Sequence, residues 1–230
     1  MSYRNNTAEG GSNTTTVAAS QAGSGDAFDV VSLFGAGTAT YSTDNAIHGK
    51  QSYNISTTIS TSDTVTLQFQ GANSISAAIR FYLCLAGKNN GAAQIAGMRN
   101  ASTGAVAVNL TGTSKVQLVD TTGGTIFTFI NPLLSGIWYR IEVGITVDTA
   151  TTGSGSAAYY LGDSPTPVET VNSFSTANLG TANIAIARFG KLTTAAGAIN
   201  YYLDDAAFSD GSPTFIGGFS PTGSTAWLGA

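Results

Sequence analysis

Short runs of alternating apolar and polar residues follow one another from Ala27 to Asp210, and this alternation constrains the fold more than any other feature. About fourteen such runs occur, separated by turns, which is the spacing typical of a sandwich or barrel. No window repeats apolar residues at helical spacing over about ten residues, and Glu and Lys are too rare to make solvated helix faces. The sequence therefore predicts an all-β chain.

The alternation also predicts which side chains face the core. In the two longest runs, the predicted inner residues are Ile137, Tyr139, Ile141, Val143, Ile145 and Val147, and Ile75, Ala77, Ile79, Phe81, Leu83 and Leu85. The opposite faces carry Trp138, Arg140 and Glu142 in one run and Arg80 and Tyr82 in the other. Strands of this length suit two large sheets packed face to face.

Composition excludes several classes of function. The 230 residues carry a net charge of -4 and only 10% charged residues, so a nucleic-acid partner is not expected. One histidine, His48, and one cysteine, Cys84, are too few for a His/Cys metal site, and Cys84 is predicted to be buried. No apolar stretch approaches the ~20 residues of a membrane span, and the start shows no secretory signal.

Three segments divide the chain. Residues 1–25 are rich in Gly, Ser, Thr and Asn, which predicts an extended arm, and residues 26–212 are the predicted sandwich domain. Residues 213–230 contain prolines and glycines but also apolar side chains. Such a tail either wraps over its own domain or docks on a neighbouring subunit or assembly. The predicted docking residues are Phe215, Phe219 and Trp227.

Three motifs, in this order, resemble those of the concanavalin A-like, laminin-G-like jelly-roll family. They are Gly49-Lys50-Gln51-Ser52-Tyr53, then Trp138-Tyr139-Arg140-Ile141-Glu142, and finally Tyr201-Tyr202-Leu203-Asp204-Asp205. The resemblance covers about residues 27–212 and implies a two-sheet antiparallel sandwich. The opening arm and the exit after Asp210 also resemble jelly-roll proteins among the tail and virion genes of actinobacterial phages.

Enzymatic activity is tested against what hydrolases of this fold require. They carry a Glu-x-Asp-x-x-Glu motif on one strand, because retaining hydrolysis needs two carboxylates about 5 Å apart. No such motif occurs, and Glu142 has Arg140 and Gly144 as neighbours on its face. His48 has no visible nucleophile or orienting partner. The sequence therefore predicts no catalytic residues and no enzyme.

Asp204 and Asp205 are adjacent on a predicted strand, so alternation directs one of them towards the core. A buried carboxylate needs a partner. Backbone amides, Arg188 or His48 would make it a structural carboxylate, whereas backbone carbonyls would allow a Ca²⁺ ion. No other cofactor is expected.

Aromatic side chains are the only sequence signal for carbohydrate binding. Trp138, Tyr160 and Tyr202 are the candidates, with a core position as the alternative for Trp138. The resulting expectation is a non-enzymatic phage virion surface protein, either a minor tail component or a capsid decoration subunit. Its expected partners are other virion proteins, copies of itself and host surface glycans. A free lectin-like module and a glycoside hydrolase are the alternatives.

Overall fold

The structure, a computed structural model, describes residues 2–19, 25–58, 60, 62–87, 91–148, 152–193 and 197–219. Fifteen strands form among these residues, and the all-β prediction is confirmed. In chain order they are β1 (Tyr3–Asn6), β2 (Val30–Phe34), β3 (Thr38–Ser42), β4 (Ser52–Ser56), β5 (Thr64–Ser74), β6 (Ser76–Leu85), β7 (Ala93–Arg99), β8 (Gly104–Leu110), β9 (Val116–Val119), β10 (Thr125–Thr128), β11 (Trp138–Thr146), β12 (Gly153–Leu161), β13 (Pro167–Ala177), β14 (Ile184–Phe189) and β15 (Asn200–Asp210). Within the described ranges, no helix has the length and apolarity that a membrane crossing requires.

The strands form two antiparallel sheets. Sheet A has eight strands in the order β13-β12-β11-β6-β15-β4-β3, with β1 paired to the second half of β15. Sheet B has seven strands in the order β10-β9-β8-β7-β14-β5-β2. Seven of the thirteen strand pairs among the described residues join strands that are not consecutive in the chain, because the chain passes repeatedly between the two sheets. This is the predicted two-sheet jelly-roll sandwich.

The core lies between the sheets and follows the predicted alternation. Ile141, Val143 and Ile145 of β11 are fully buried there, and Phe81 of β6 meets Phe189 of sheet B edge to face, with ring centroids 5.7 Å apart. Ile75 differs from the prediction and is 56% exposed, because it lies at the turn between β5 and β6. Ile137 precedes β11 and is also exposed. Cys84 is buried, as predicted.

The amino-terminal arm is part of the sandwich. Its β1 pairs with β15, and Thr16 forms an isolated bridge with Thr40 of β3. Ala8 is fully buried and Val17 is 3% exposed, so both contribute to the core. Residues 3–6 of the predicted arm therefore add a strand to sheet A.

A bulge in β15 shapes the centre of sheet A. The pairing with β6 shifts between Asp204, which lies opposite Tyr82, and Ala207, which lies opposite Arg80. Asp205 takes the left-handed conformation there, with φ 44°. A bulge re-aims side chains, and here both carboxylates lie on the outer side, under the loop that carries His48. The prediction that one of the two faces the core is therefore wrong, because period-two alternation does not continue through a bulge.

Candidate active site

Polar residues line the centre of the outer face of sheet A, and they are buried although they point away from the core. Arg80 and Tyr82 on β6 lie beside Glu142 and Arg140 on β11, in register. Arg80 is 2% exposed, Arg140 is 3% exposed and Glu142 is fully buried. Charges removed from water need partners, so the contacts of these side chains define what the face can do.

His48 is held between two carboxylates. Its Nδ1 contacts Oδ2 of Asp205, and its Nε2 lies 2.7 Å from Oδ2 of Asp163. Burial lowers the pKa of His48, but the hydrogen bonds and charges of Asp205 and Asp163 outweigh it, and the net pKa shift is upward. The histidine thus has the orienting partner that sequence reasoning did not find.

Tyr82 shares Asp163 with His48. Its hydroxyl donates to Oδ1 of Asp163 over 2.6 Å, and its ring meets the His48 ring edge to face, 5.1 Å between centroids. Burial, followed by the Asp163 hydrogen bond, raises the pKa of Tyr82 to about 12. Burial raises the pKa of Asp163, but hydrogen bonds from Tyr82 and His48 outweigh it and hold that pKa below its usual value. Two proton carriers therefore meet at one carboxylate.

Arg140 and Glu142 form a buried ion pair on the same face. Nε of Arg140 lies 2.9 Å from Oε1 of Glu142, and its guanidinium stacks 3.9 Å from the centre of the Tyr160 ring. Burial lowers the pKa of Arg140, but the Tyr82 hydroxyl and Glu142 outweigh it and raise that pKa. The charge of this arginine is neutralised within the protein.

Arg80 is different, because neutral oxygens supply its partners. Its Nη2 donates to Oδ1 of Asn5 over 3.1 Å and to the carbonyl of Asp205 over 3.4 Å. Its Nη1 donates to the carbonyls of Gly217 and Gly218 over 3.1 and 3.3 Å. Its Nε is buried without a partner among the described residues. In the described part of the chain, no carboxylate forms an ion pair with Arg80.

The carboxy-terminal segment covers this face, and we call residues 213–219 the strap. The amide of Gly217 donates to Oε2 of Glu142 over 2.8 Å, and the amide of Phe219 donates to the Tyr82 hydroxyl over 2.9 Å. The Phe219 ring stacks on His48 with centroids 4.4 Å apart. The strap therefore occupies the space in front of the histidine, the tyrosine and Arg80.

The strap contains two of the three predicted docking residues, Phe215 and Phe219. Phe219 contacts His48 of its own domain and Phe215 is half-buried, so within the described residues the tail wraps over its own domain. Trp227 lies outside the described residues. Docking of these side chains on a neighbour stays a prediction.

The aspartate pair is buried, with both members fully shielded from solvent. Asp204 accepts from the amides of Asp205, Ile47 and His48 over 2.9, 3.3 and 3.4 Å. Burial and the Asp205 charge raise the pKa of Asp204 to about 9. Amides contact Asp204 and His48 contacts Asp205, whereas Arg188 belongs to sheet B, and the role of the pair as structural carboxylates stays a prediction. Among the described residues no group of three His, Cys, Asp or Glu is placed to hold a metal, and Ca²⁺ stays a prediction.

The three predicted carbohydrate-binding aromatics share the outer face of sheet A. Trp138 is half-buried beside the site, and its Nε1 donates to Oδ1 of Asn45 over 2.9 Å. Tyr160 is 8% exposed under Arg140. Tyr202 is half-buried and lies opposite Cys84. Their role in glycan binding stays a prediction.

Sequence reasoning missed the functional meaning of Arg80, Tyr82 and Asp163. Alternation placed Arg80 and Tyr82 on the outer face correctly, but it assigned neither residue a function. A signal was present: in a chain with only 10% charged residues, two long strands each carry an arginine and a second polar group on the same face. Asp163 could not be connected to them, since it is 115 residues from His48.

Comparison with known proteins identifies solved structures that share this fold. No protein-family profile and no curated protein matches the sequence. The structure is similar to endo-β-1,4-glucuronan lyase from the fungus Trichoderma reesei, with TM-score 0.62, 12% identity, and 90% of this chain and 94% of that chain covered. It is also similar to a mutant of the alginate lyase Aly36B in complex with alginate tetrasaccharide (0.58, 11%, 90% and 96%) and to the cellulose induced protein Cip1 (0.58, 13%, 80% and 88%). At such identities the likeness establishes the β-sandwich fold.

The prediction of a non-enzymatic virion surface protein is wrong on this comparison. The three similar structures named above are two polysaccharide lyases and a cellulose-induced protein, and they give no support for a phage tail, a capsid or virion partners. The glycan part of the predicted partners keeps support, because one neighbour is bound to an alginate tetrasaccharide.

The prediction of no enzyme is contradicted by the same neighbours, and it failed for a chemical reason. It relied on the absence of a carboxylate pair, which is a requirement of hydrolysis. An elimination needs a proton acceptor, a proton donor and a cation for the substrate carboxylate, and histidine, tyrosine and arginine can supply these. All three meet on the outer face of sheet A.

Proposed function

We propose that this protein is a polysaccharide lyase that cleaves a uronate-containing polymer on the outer face of sheet A. The observation that carries the proposal is the meeting of His48 and Tyr82 at Asp163, beside the unneutralised Arg80. The lyase neighbours agree with it, since one is a glucuronan lyase and the other an alginate lyase.

The chemistry follows from the substrate. The carbon next to a uronate carboxylate loses a proton, a carbon–carbon double bond forms, and the bond to the neighbouring glycosidic oxygen breaks. The leaving oxygen receives a proton, so no water is consumed. Arg80 binds the carboxylate and stabilises the charge that develops on it as the proton leaves. His48, Asp163 and Tyr82 form the chain that moves a proton from carbon to oxygen.

Product analysis tests the proposal. The full chain is incubated with alginate, with polyglucuronate and with a neutral glucan, and products are followed by ultraviolet absorbance and mass spectrometry. An unsaturated end lacking one water identifies elimination, and we expect it from an acidic polymer but not from the neutral glucan. Hydrolysis would instead add a water to each break and would overturn the assignment.

Tyr82→Phe removes one hydroxyl and serves as the diagnostic variant. We expect it to lower kcat about 100-fold or more, which is the usual contribution of a positioned acid or base. Tyr3→Phe is the control, because Tyr3 is 51% exposed, pairs with Ser209 on β15 and has no hydrogen bond to Asp163 among those described. Equal activity in the two variants would remove Tyr82 from the mechanism.

A further inference from the structure

The strap occupies the place where an extended polymer would lie in the proposed site, and its contacts identify what it replaces. The Gly217 and Gly218 carbonyls accept from Arg80, and the Phe219 ring covers His48. A carboxylate would satisfy the Arg80 charge better than two carbonyls do, because it carries a full opposite charge and can accept two parallel N–H bonds from one guanidinium.

We propose that the strap is an intramolecular occupant of the polymer groove, and that Arg80 is the subsite for a substrate carboxylate once the strap leaves. The inference rests on the proposed function for the identity of the polymer. Displacement of the strap can be measured without any substrate. The strap inference and the proposed lyase function can therefore be disproved separately.

Gly144 offers a way to displace the strap without touching an ionisable group. It lies on the outer face of β11, and a Cβ built there would collide with the carbonyl oxygen of Pro213. The strap must move away, because the sheet is hydrogen-bonded on both sides of this residue, opposite Ala78 and Ser156. Gly104→Ala is the matched control, since a Cβ at Gly104 on sheet B has no neighbour within 4 Å.

Amide hydrogen exchange of Gly217 and Phe219 tests the displacement. In Gly144→Ala we expect both amides to exchange about tenfold faster or more, as for the loss of a hydrogen bond, and in Gly104→Ala we expect no change. Unchanged exchange in Gly144→Ala would overturn the proposal. Phe219→Ala gives a second route if Gly144→Ala does not fold, because it removes the ring from His48 and changes no residue of either sheet.

Binding of a catalytically unreactive oligouronate tests the subsite. With the strap displaced, we expect affinity to rise about tenfold or more by calorimetry, and Arg80→Gln in the same background to abolish the gain. A displaced strap with no gain in affinity would show that the strap guards no acidic-sugar site. If affinity rises but no polymer is cleaved, the strap inference stands and the lyase proposal falls.

A second, independent inference concerns the outer face of sheet B. Arg99 of β7 and Arg188 of β14 line a groove of about 140 Å³ together with Gln94, Gly97 and Gly104. Gly97 keeps the groove floor open, because a Cβ there would meet the Gln94 side chain and the carbonyl of Val106 at 2.7 Å. No carboxylate lines this groove in the described chain.

Among the described residues, no carboxylate forms an ion pair with either arginine of this groove. Nε of Arg188 donates to Oε1 of Gln68 over 2.9 Å, and Nε of Arg99 donates to the carbonyl of Asn100 over 3.1 Å. Burial and the nearby Arg99 charge lower the pKa of Arg188. We infer that this groove binds an oxyanion, the carboxylate or sulfate group of an acidic sugar, on the sheet opposite the candidate active site.

Ligand-induced stabilisation tests the groove. We expect inorganic sulfate and a uronate oligosaccharide to raise the melting temperature of the full chain, and Arg188→Gln to remove the groove's part of that rise. Lys115→Gln is the matched control, because it removes one positive charge near the same sheet but outside the groove. A response to sulfate alone assigns a free anion, whereas a stronger response to the oligosaccharide assigns an acidic glycan. Equal shifts in both variants would overturn the inference.

Discussion

Asp204 and Asp205 are adjacent carboxylates that one bulge places in different environments. Asp205 contacts His48, which offers it a positive partner, whereas Asp204 receives three backbone amides and no cation among the described contacts. Burial therefore dominates at Asp204 and raises its pKa to about 9. Neighbours in sequence thus differ chemically because of their contacts.

The raised pKa of Asp204 predicts the pH dependence of stability. The folded state holds a proton that the unfolded chain releases above its usual pKa of 3.8, so this group lowers stability as pH rises from 3.8 towards about 9. We expect Asp204→Asn to flatten the fall in melting temperature between pH 5 and pH 8, measured by circular dichroism. Asp44→Asn in an exposed loop is the control. An unchanged slope in Asp204→Asn would contradict the shift.

His48 also makes the folded state less stable as pH rises. Its folded pKa is raised, so its contribution to stability is complete below the unfolded value of 6.5 and is lost as pH rises through the folded pKa. We therefore expect His48 to cause part of the fall in melting temperature with rising pH that remains in the Asp204→Asn variant. The two groups can be separated because the Asp204 effect begins at lower pH.

At the scale of elements, the amino-terminal arm shows how tertiary contacts override local pattern. Residues 2–19 show almost no apolar periodicity, yet β1 pairs with β15 and the arm places Ala8 and Val17 in the core. The pairing is available because β4 covers only the first half of β15. The arm therefore gains its stability from the β1–β15 ladder and from the burial of Ala8 and Val17, which follow β1 in the chain.

Val17→Ala tests this role of the arm. We expect it to lower the free energy of unfolding by about 2 kcal/mol, because it removes buried methyl groups and leaves a cavity. Thr16→Ala is the control and should change stability by no more than about 0.5 kcal/mol, since Thr16 is exposed. Chemical denaturation measures both, and equal effects would indicate that the arm does not stabilise the sandwich.

At the scale of the whole molecule, net charge affects how an acidic polymer approaches. The chain has 13 acidic and 9 basic residues, so a polyuronate is repelled at long range and attracted at short range, where it reaches Arg80 or the groove of Arg99 and Arg188. Salt screens the long-range term over about 10 Å at 0.1 M, which exceeds the length of the Arg80 contacts.

The salt response of the proposed lyase follows from this charge balance. We expect kcat/KM on an acidic polymer to increase as ionic strength rises from ~10 mM to ~150 mM, because screening weakens the repulsion first. Initial rates of unsaturated product measure it. A steady decrease over this range would show that attraction to local cations dominates the approach.

The sequence alone determined the all-β class and the two faces of the long strands. Arg80, Tyr82, Arg140 and Glu142 were assigned to the outer face from alternation, which is a local property of two successive residues. That inference needs no knowledge of which strands are neighbours. It ended wherever the alternation was interrupted.

Only the tertiary structure decided what those faces do. The bulge at Asp205, the meeting of His48 with Asp163, and the strap over Tyr82 all join residues that are far apart in the chain or break the local period. Their positions depend on strand order, register and packing, which are set by contacts across both sheets. The sequence therefore predicted the surface on which the site lies, and long-range packing assembled the site itself.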